Sequence, residues 1–506
     1  RIRLLLCTAC QTLPPGLEEF MPAGILPVWL LNWLKKGVNE MNLKEYTNFH
    51  FIGIGGMGMR ALAEILLEKG YSVSGSDMAD SPVLENFRKR GASIFIGHDA
   101  SHVKGEGCVV ISSAISEDNP ELMEARRKQI PVFHRSDVLA ALLLAGRGIS
   151  VAGAHGKSTT SGMLGQIFYE TAMDPTIVLG AAADYIHGNS ICGKGEYVIA
   201  EADESDGSFL KFKNYITVVT NIEDDHLDHY GSVENIRKAF AEFVNHISYD
   251  DGAAFLCLDS EGVRAILPSV HKKVFTFGLN EKADLRAVNP RYENRLLCYE
   301  AVKGGKVLGT VRLQVPGLHN VRDSLGALAA SLYCGIPFEK AAAAISHFHG
   351  VKRRFETKLR TEDLWIVDDY AHHPTEIKAT LKAARESGNH RILCAFQPHR
   401  YSRTKLLKDE FAEAFDDADV LFFTDIYAAS EEKIPGVDGH LIPDAVRARL
   451  PHKDIRYVDK LEDVAAQLYN SIRPGDMVIT MGAGSITGVS EKLIALLKEK
   501  GMPSDK

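Results

Sequence analysis

The chain has 506 residues, 45% of them hydrophobic and 25% charged, and a formal net charge of −8. That length exceeds what one core supports and predicts about three domains. The acidic balance argues against non-specific nucleic-acid binding, no run reaches the ~20 apolar residues of a membrane span, and anionic small substrates would need only local positive charge.

Residues 1–46 read as an N-terminal extension. It opens at Arg1 rather than Met, carries the apolar run "MPAGILPVWLLNWL", and ends near Met41. A start-site artefact or dispensable tail is expected. Six of the eight cysteines stand singly, as in a reduced, cytoplasmic protein. Cys7-x-x-Cys10 lacks the second pair a metal site would need, so it is read as chance.

From residue 47 onward short apolar runs alternate with amphipathic helices, which predicts α/β units with parallel sheets. Residues 47–147 form the first unit. "NFHFIGIGGMGMRALAEILLEKG" is strand, glycine turn and helix, and "YSVSGSD", "ASIFIG" and "CVVISSA" are further strands. Gly53-x-Gly55-x-x-Gly58 would let a pyrophosphate approach the backbone at the helix N-terminus. Asp77 ends the next strand, where a carboxylate can bind a ribose hydroxyl. This pattern fits any nucleotide diphosphate, NAD included.

The second unit covers residues 148–350. "GISVAGAHGKSTT" is a strand, a turn and a helix start, with Gly153 only three positions before Gly156-Lys157-Ser158. It ends like a phosphate loop but is shorter than G-x-x-x-x-G-K-[ST]. Lys157 can reach β- and γ-phosphates, and Ser158 or Thr159 can ligate Mg²⁺. The strand in "YVIAEADESDGSF" delivers Glu201, Asp203, Glu204 and Asp206 to the same sheet edge, two of them expected as turn or cap residues. "TNIEDDHLDHYGS" adds His226 among Glu223, Asp224, Asp225 and Asp228. Residues 283–315 alternate with the two-residue period of antiparallel strands, with Gly304-Gly305 as a hairpin turn.

The third unit, residues 351–506, has strands in "LWIVDDY", "RILCAF", "DVLFFTD" and "DMVITMG". "DDYAHHPTE" and "FQPHRYSRTK" follow two of them, at the strand ends where open α/β sheets bind ligands. His399, Arg400 and Arg403 there suit a carboxylate or phosphate. The expected fold is α/β, three consecutive domains: Rossmann-like, then a phosphate-loop domain with a small antiparallel part, then a doubly wound domain.

The stretches "GIGGMGM", "GSD", "SSAI", "AGAHGKSTT", "AEADESD", "NIEDDHLDHYG", "PGLHN", "RRF", "VDDYAHHPTE", "FQPHRYSRT" and "GAGSI" run in order through nearly the whole chain. As a set they resemble the Mur ligases, and within that family the members that add L-alanine to UDP-N-acetylmuramate. The short loop is then this family's ATP loop, and the glycine turn grips the UDP pyrophosphate rather than NAD.

The resemblance implies ATP and Mg²⁺, two ions, as cofactors, and UDP-N-acetylmuramate and L-alanine as substrates. It implies neither nucleic acid nor membrane as partner and leaves monomer or dimer open. ATP binding falls to Gly153, Ala154, His155, Gly156, Lys157, Ser158, Thr159, Asn320, Asp323 and Arg353, and catalysis to Lys157, Glu201, His226 and Arg354. Ser158, Thr159, Glu201 and His226 would hold metal. The UDP-sugar would meet Gly53, Gly55, Gly56, Gly58, Ser76, Asp77, Ser113 and Ser205. Tyr370, His399, Arg400 and Arg403 would form the amino-acid pocket.

One position departs from the family. After "HN" a second asparagine faces adenine, and here Asp323 stands in its place; an ionised aspartate accepts hydrogen bonds but donates none. Three other readings compete with it. A sister ligase attaches recycled tripeptide to the same sugar. An NAD-dependent dehydrogenase would leave the phosphate loop without a role. An inactive nucleotide-binding protein has only Asp323 in its favour.

Overall fold

The computed structural model describes residues 41–502, apart from 106, 295 and 430. The reading of residues 1–40 lies outside them. The first sheet holds β1 (Asn48–Ile52), β2 (Ser72–Asp77), β3 (Ser93–Ile96), β4 (Cys108–Ile111) and β5 (Val132–His134). All are parallel, in the order 3-2-1-4-5. The chain reverses direction across this sheet between β1 and β4, where such sheets open a ligand crevice. Helix α1 (Met57–Glu68) starts from the glycine turn beside it.

The second sheet has ten strands: β6 (Arg147–Ala152), β7 (Thr176–Ala183), β8 (Gly188–Ile191), β9 (Tyr197–Glu201), β10 (Ile216–Val219), β11 (Ala253–Cys257), β12 (Val274–Gly278), β13 (Leu285–Glu293), β14 (Leu296–Lys303) and β15 (Lys306–Leu313). Their order is 15-14-13-12-11-10-6-9-7-8. Strands 6, 7 and 9–12 form the parallel centre, and β10 and β11 are buried along their whole length, as covered parallel strands must be. The ribbon β13–β14–β15 is antiparallel. Gly304 and Gly305 turn it with φ of +56° and +78°, the doubly left-handed pair that tight hairpins require. Two helices matter for the site: α2 (Lys157–Glu170) and α3 (Leu318–Tyr333). They pack on one another, and α2 is buried from Ser158 to Phe168.

The third sheet contains β16 (Glu356–Arg360), β17 (Leu364–Asp369), β18 (Ile392–Phe396), β19 (Val420–Phe423), β20 (Asp454–Tyr457) and β21 (Asp476–Met481). The order is 16-17-21-18-19-20, and only β16 runs antiparallel. Helix α4 (Pro374–Glu386) follows β17. The strands the sequence did not announce, such as β5, β8, β16 and β20, are three to five residues long and only partly buried for the most part. They carry too little apolar pattern to stand out.

The sheets are joined by specific polar contacts. Arg60 donates to Asn189 at 2.9 Å, Ser190 to Glu64 at 2.8 Å, and Lys211 to Asp137 at 2.6 Å across the first two. The link between the second and third sheets is short. Val351 bridges to Ala183, and Lys352 N donates to Ala182 O at 2.7 Å. The chain then passes through Arg353 (φ +61°) and Phe355 (φ +46°), a left-handed pair flanking Arg354. Phe355 N is fixed by Asp369 at 2.7 Å and Tyr370 N by Arg353 O at 2.7 Å. These bonds hold non-glycine residues in a conformation that normally costs 1–2 kcal/mol each.

Candidate active site

The phosphate loop leaves β6 at Ala152 and enters α2 at Lys157. Gly153 and Gly156 have φ of +142° and +82°. A side chain on either would collide: a Cβ at Gly153 would stand 2.1 Å from Thr220 Oγ1, and one at Gly156 2.3 Å from Asp323 Oδ1. The glycines are therefore required by space as well as by backbone angle. Asn221 clamps the loop between them, accepting from His155 N at 2.9 Å and donating to His155 O at 2.8 Å. No side chain caps the start of α2, which leaves its first N–H groups for an anion.

The acidic residues divide by partner. Ser158 Oγ donates to Glu201 Oε2 at 2.8 Å, and Gly180 N to the same oxygen at 3.1 Å. Lys157 Nζ reaches Glu204 Oε1 at 2.8 Å and Gly153 O at 2.6 Å. Burial alone would depress the lysine, but Glu204 and Glu201 outweigh it and raise its pKa. Glu204 Oε2 is buried with no hydrogen-bond partner, a lone acceptor beside the loop. Asp203 and Asp206 accept from Ser205 N and Ser208 N two residues on, so both are turn residues. His226 lies 3.5 Å from both Glu204 and Asp225. Among the described residues no three His, Cys, Asp or Glu side chains converge on one metal position. Ser158 and Glu201 offer two hard oxygens side by side, of the kind that could hold a divalent cation whose remaining ligands come from phosphates.

A cleft of about 730 Å³ opens from this loop toward the third sheet. His155, Gly156, Ser158, Thr159, Asn320, Asp323 and Arg354 all line it. Gly153, Ala154, Lys157, Glu201 and His226 lie beside or below it and are not part of its wall. The two adjacent arginines separate. Arg354 faces the cleft, whereas Arg353 turns into the third sheet, toward the carbonyls of Gly482 and Gly484. Asn320 Nδ2 is held by Pro316 O. Asp323 is buried against Gly156, and burial pushes its carboxyl up to about 7. Its carboxyl thus packs on the phosphate loop.

His155 bridges two sheets. Its Nε2 is 3.3 Å from Glu223 and its Nδ1 3.3 Å from Glu376 on α4. Burial opposes the charge, but the two carboxylates raise the imidazole to about 10. Neither Glu376 nor Asn221 stands out by residue type or spacing, although "DDYAHHPTE" contains the first and "TNIEDDHLDHYGS" the second.

In the third sheet Tyr370 lies under both arginines, 4.8 Å from the Arg353 guanidinium and 5.2 Å from that of Arg354. His372 meets His399 edge-on at 5.5 Å, His399 stacks on Tyr427 at 5.6 Å, and Arg403 Nη1 is 3.2 Å from His399 Nδ1. Burial, reinforced by neighbouring cations, pushes His399 down to about 4; burial also takes His372 to about 4 against the pull of Glu376. Both rings are neutral at pH 7, so Arg403 and the exposed Arg400 carry the positive charge there.

At the first sheet Gly53 N and Ile54 N donate to Ser76 O, and Asp77 Oδ2 accepts from Gly55 N at 2.8 Å. Asp77 therefore braces the glycine turn, whose Gly56 starts α1; Gly58 lies within that helix against Arg135. The Ser76 hydroxyl points inward to Glu121 at 2.6 Å. Ser113 is 3.1 Å from His134 Nε2, and Ser205 N donates to the Asp203 carboxylate that caps its turn.

Comparison with known proteins agrees with this layout. Three family descriptions match in series: "Mur ligase family, catalytic domain" at 48–147, "Mur ligase middle domain" at 151–331, and "Mur ligase, glutamate ligase domain" at 353–484. The chain belongs to the Mur ligase family. A UDP-N-acetylmuramate--L-alanine ligase from Syntrophotalea carbinolica is 44% identical over 89% of this chain and 98% of its own. The crystal structure of the UDP-N-acetylmuramate-alanine ligase MurC from Thermotoga maritima matches with a TM-score of 0.76 at 29% identity, over 89% of this chain and 99% of that one. A murein peptide ligase from Psychrobacter arcticus shares the fold, with a TM-score of 0.65 at 22% identity over 91% and 100% of the two chains.

Proposed function

We infer that this chain is an ADP-forming ligase that joins L-alanine to the carboxylate of UDP-N-acetylmuramate, a step of peptidoglycan precursor synthesis. The observation that carries the reading is the cleft itself, lined on one side by the phosphate loop at His155, Gly156 and Ser158 and on the other by Arg354, Asp369 and Glu376. The 44% identity to alanine-adding relatives favours that acceptor over the tripeptide. No helix among the described residues is long and apolar enough to cross a membrane, and we place the reaction in the cytoplasm, where ATP is supplied.

A carboxylate resists attack by an amine because it is anionic and oxide is a very poor leaving group. Transfer of the γ-phosphoryl of ATP to a carboxylate oxygen gives an acyl phosphate and ADP. The alanine amine then adds to the carbonyl carbon, loses a proton, and expels phosphate to leave the amide. Two anions must meet in the first step, so fixed cations dominate its catalysis. Lys157 would leave Glu204 for the phosphates, and Arg354 would face the γ-phosphoryl. Ser158 and Glu201 would hold Mg²⁺, with His226 near a second ion; bound Mg²⁺ supplies charge neutralisation between phosphate oxygens. Arg400 or Arg403 would pair with the carboxylate of alanine.

The test is phosphate release from ATP, Mg²⁺ and UDP-N-acetylmuramate with L-alanine, with a meso-diaminopimelate tripeptide, or with no amine. Release that requires L-alanine upholds the assignment. Release that requires the tripeptide moves it to the sister activity.

A further inference from the structure

Glu376 divides its two oxygens between two domains. Oε2 accepts from His372 N at 3.0 Å and His373 N at 3.3 Å, closing a capping box at the start of α4. Oε1 faces the other way, 3.3 Å from His155 Nδ1 in the phosphate loop and 3.4 Å from Arg354 Nη1 in the connector. A capping box needs only an acceptor, and glutamine serves as well as glutamate. The charge of Glu376 is therefore surplus to its helix, and its opposite charges lie on the phosphate loop and the connector. His155 itself cannot shift independently of the loop, because Asn221 holds its backbone on both sides.

The other end of the chain of contacts is the acceptor pocket. His372 leads edge-on to His399, and His399 to Arg403. We propose that Glu376 is a positioning residue for ligation, locking the His372-His373 turn of the acceptor pocket to the phosphate loop through His155 and Arg354. The proposal rests on the ligase reading for its kinetic consequence, though the contact it describes joins two domains whatever the substrate.

Glu376→Gln keeps the cap and removes the charge, so it separates the latch from helix stability. Three proteins are compared with wild type: Glu376→Gln, His155→Gln and the double variant. Expected is a fall in kcat of about tenfold or more in each single variant, with KM for the UDP-sugar unchanged in Glu376→Gln. The double variant should be no worse than the poorer single one, since both remove the same contact. A kcat for Glu376→Gln within about twofold of wild type, or a double variant whose loss is the product of the singles, overturns the latch. Wild-type protein without L-alanine-dependent phosphate release would sink the ligase reading instead. Small-angle scattering of the complex with a non-hydrolysable ATP analogue then decides the latch separately: a larger radius of gyration in Glu376→Gln than in wild type upholds it, and an unchanged profile overturns it.

Discussion

At the scale of single residues, two side chains of the phosphate loop region give opposed expectations. Lys157 is paired with Glu204 and stands where the phosphate loop enters α2. Lys157→Ala should lower L-alanine-dependent phosphate release by about 10²- to 10³-fold, on the scale of a lost transition-state donor. Asp323 is a buried acid whose folded pKa, about 7, lies above its ordinary 3.8. Its contribution is whole below pH 3.8 and is lost as pH rises through about 7, because the unfolded chain ionises first. Asp323→Asn should therefore be more stable than wild type at pH 8, by up to about 4 kcal/mol, with the gain vanishing near pH 4. Urea unfolding at the two pH values measures it; equal gains at both would mean that ionisation of Asp323 is not the cause.

At the scale of elements, the first sheet is tied by a buried carboxylate that no motif announced. Glu121, at the start of the helix after β4, accepts from Ser76 at the end of β2 and contacts His50 on β1 at 3.4 Å and His102 at 2.7 Å. Burial alone would raise it, but those hydrogen bonds prevail and hold it at about 2. The stabilisation is present above the ordinary 4.5 and is lost as pH falls through about 2. Glu121→Gln should lose on the order of 3 kcal/mol at pH 7, a deficit that narrows between pH 4.5 and 2. Chemical denaturation across that range is the check.

The contrast between these networks explains what could be read beforehand. The glycine turn, the phosphate loop and the acidic strand end are local patterns, each dictated by one turn of backbone. The alternation of β13–β15 and the long buried runs of β10, β17 and β21 were legible for the same reason. Glu121 gathers partners from positions 50, 76 and 102, and Glu376 meets a histidine 221 positions away, so neither left a periodic trace. Asp323 was noticed only as a departure from a family pattern. Its place against Gly156 depends on how α3 packs on α2, which no spacing encodes.

At the scale of the whole molecule, the cleft is bounded by two sheets joined through a connector of a few residues. The phosphate loop and the proposed acceptor pocket belong to different sheets, so closing the cleft should assemble the site. Small-angle scattering with UDP-N-acetylmuramate and a non-hydrolysable ATP analogue should show a smaller radius of gyration than the free protein. An unchanged profile would mean that the site is already complete without ligand.

Arg354 occupies the connector itself, between two left-handed residues, rather than either wall. A cation on a pivot turns with it: where the third sheet points decides where the guanidinium points. Nucleotide bound while the molecule gapes would lack that charge, and its terminal phosphoryl would stay inert toward water. With ATP bound as proposed, the pivot would work as a safety catch, keeping ATP from being hydrolysed idly while the two halves stand apart.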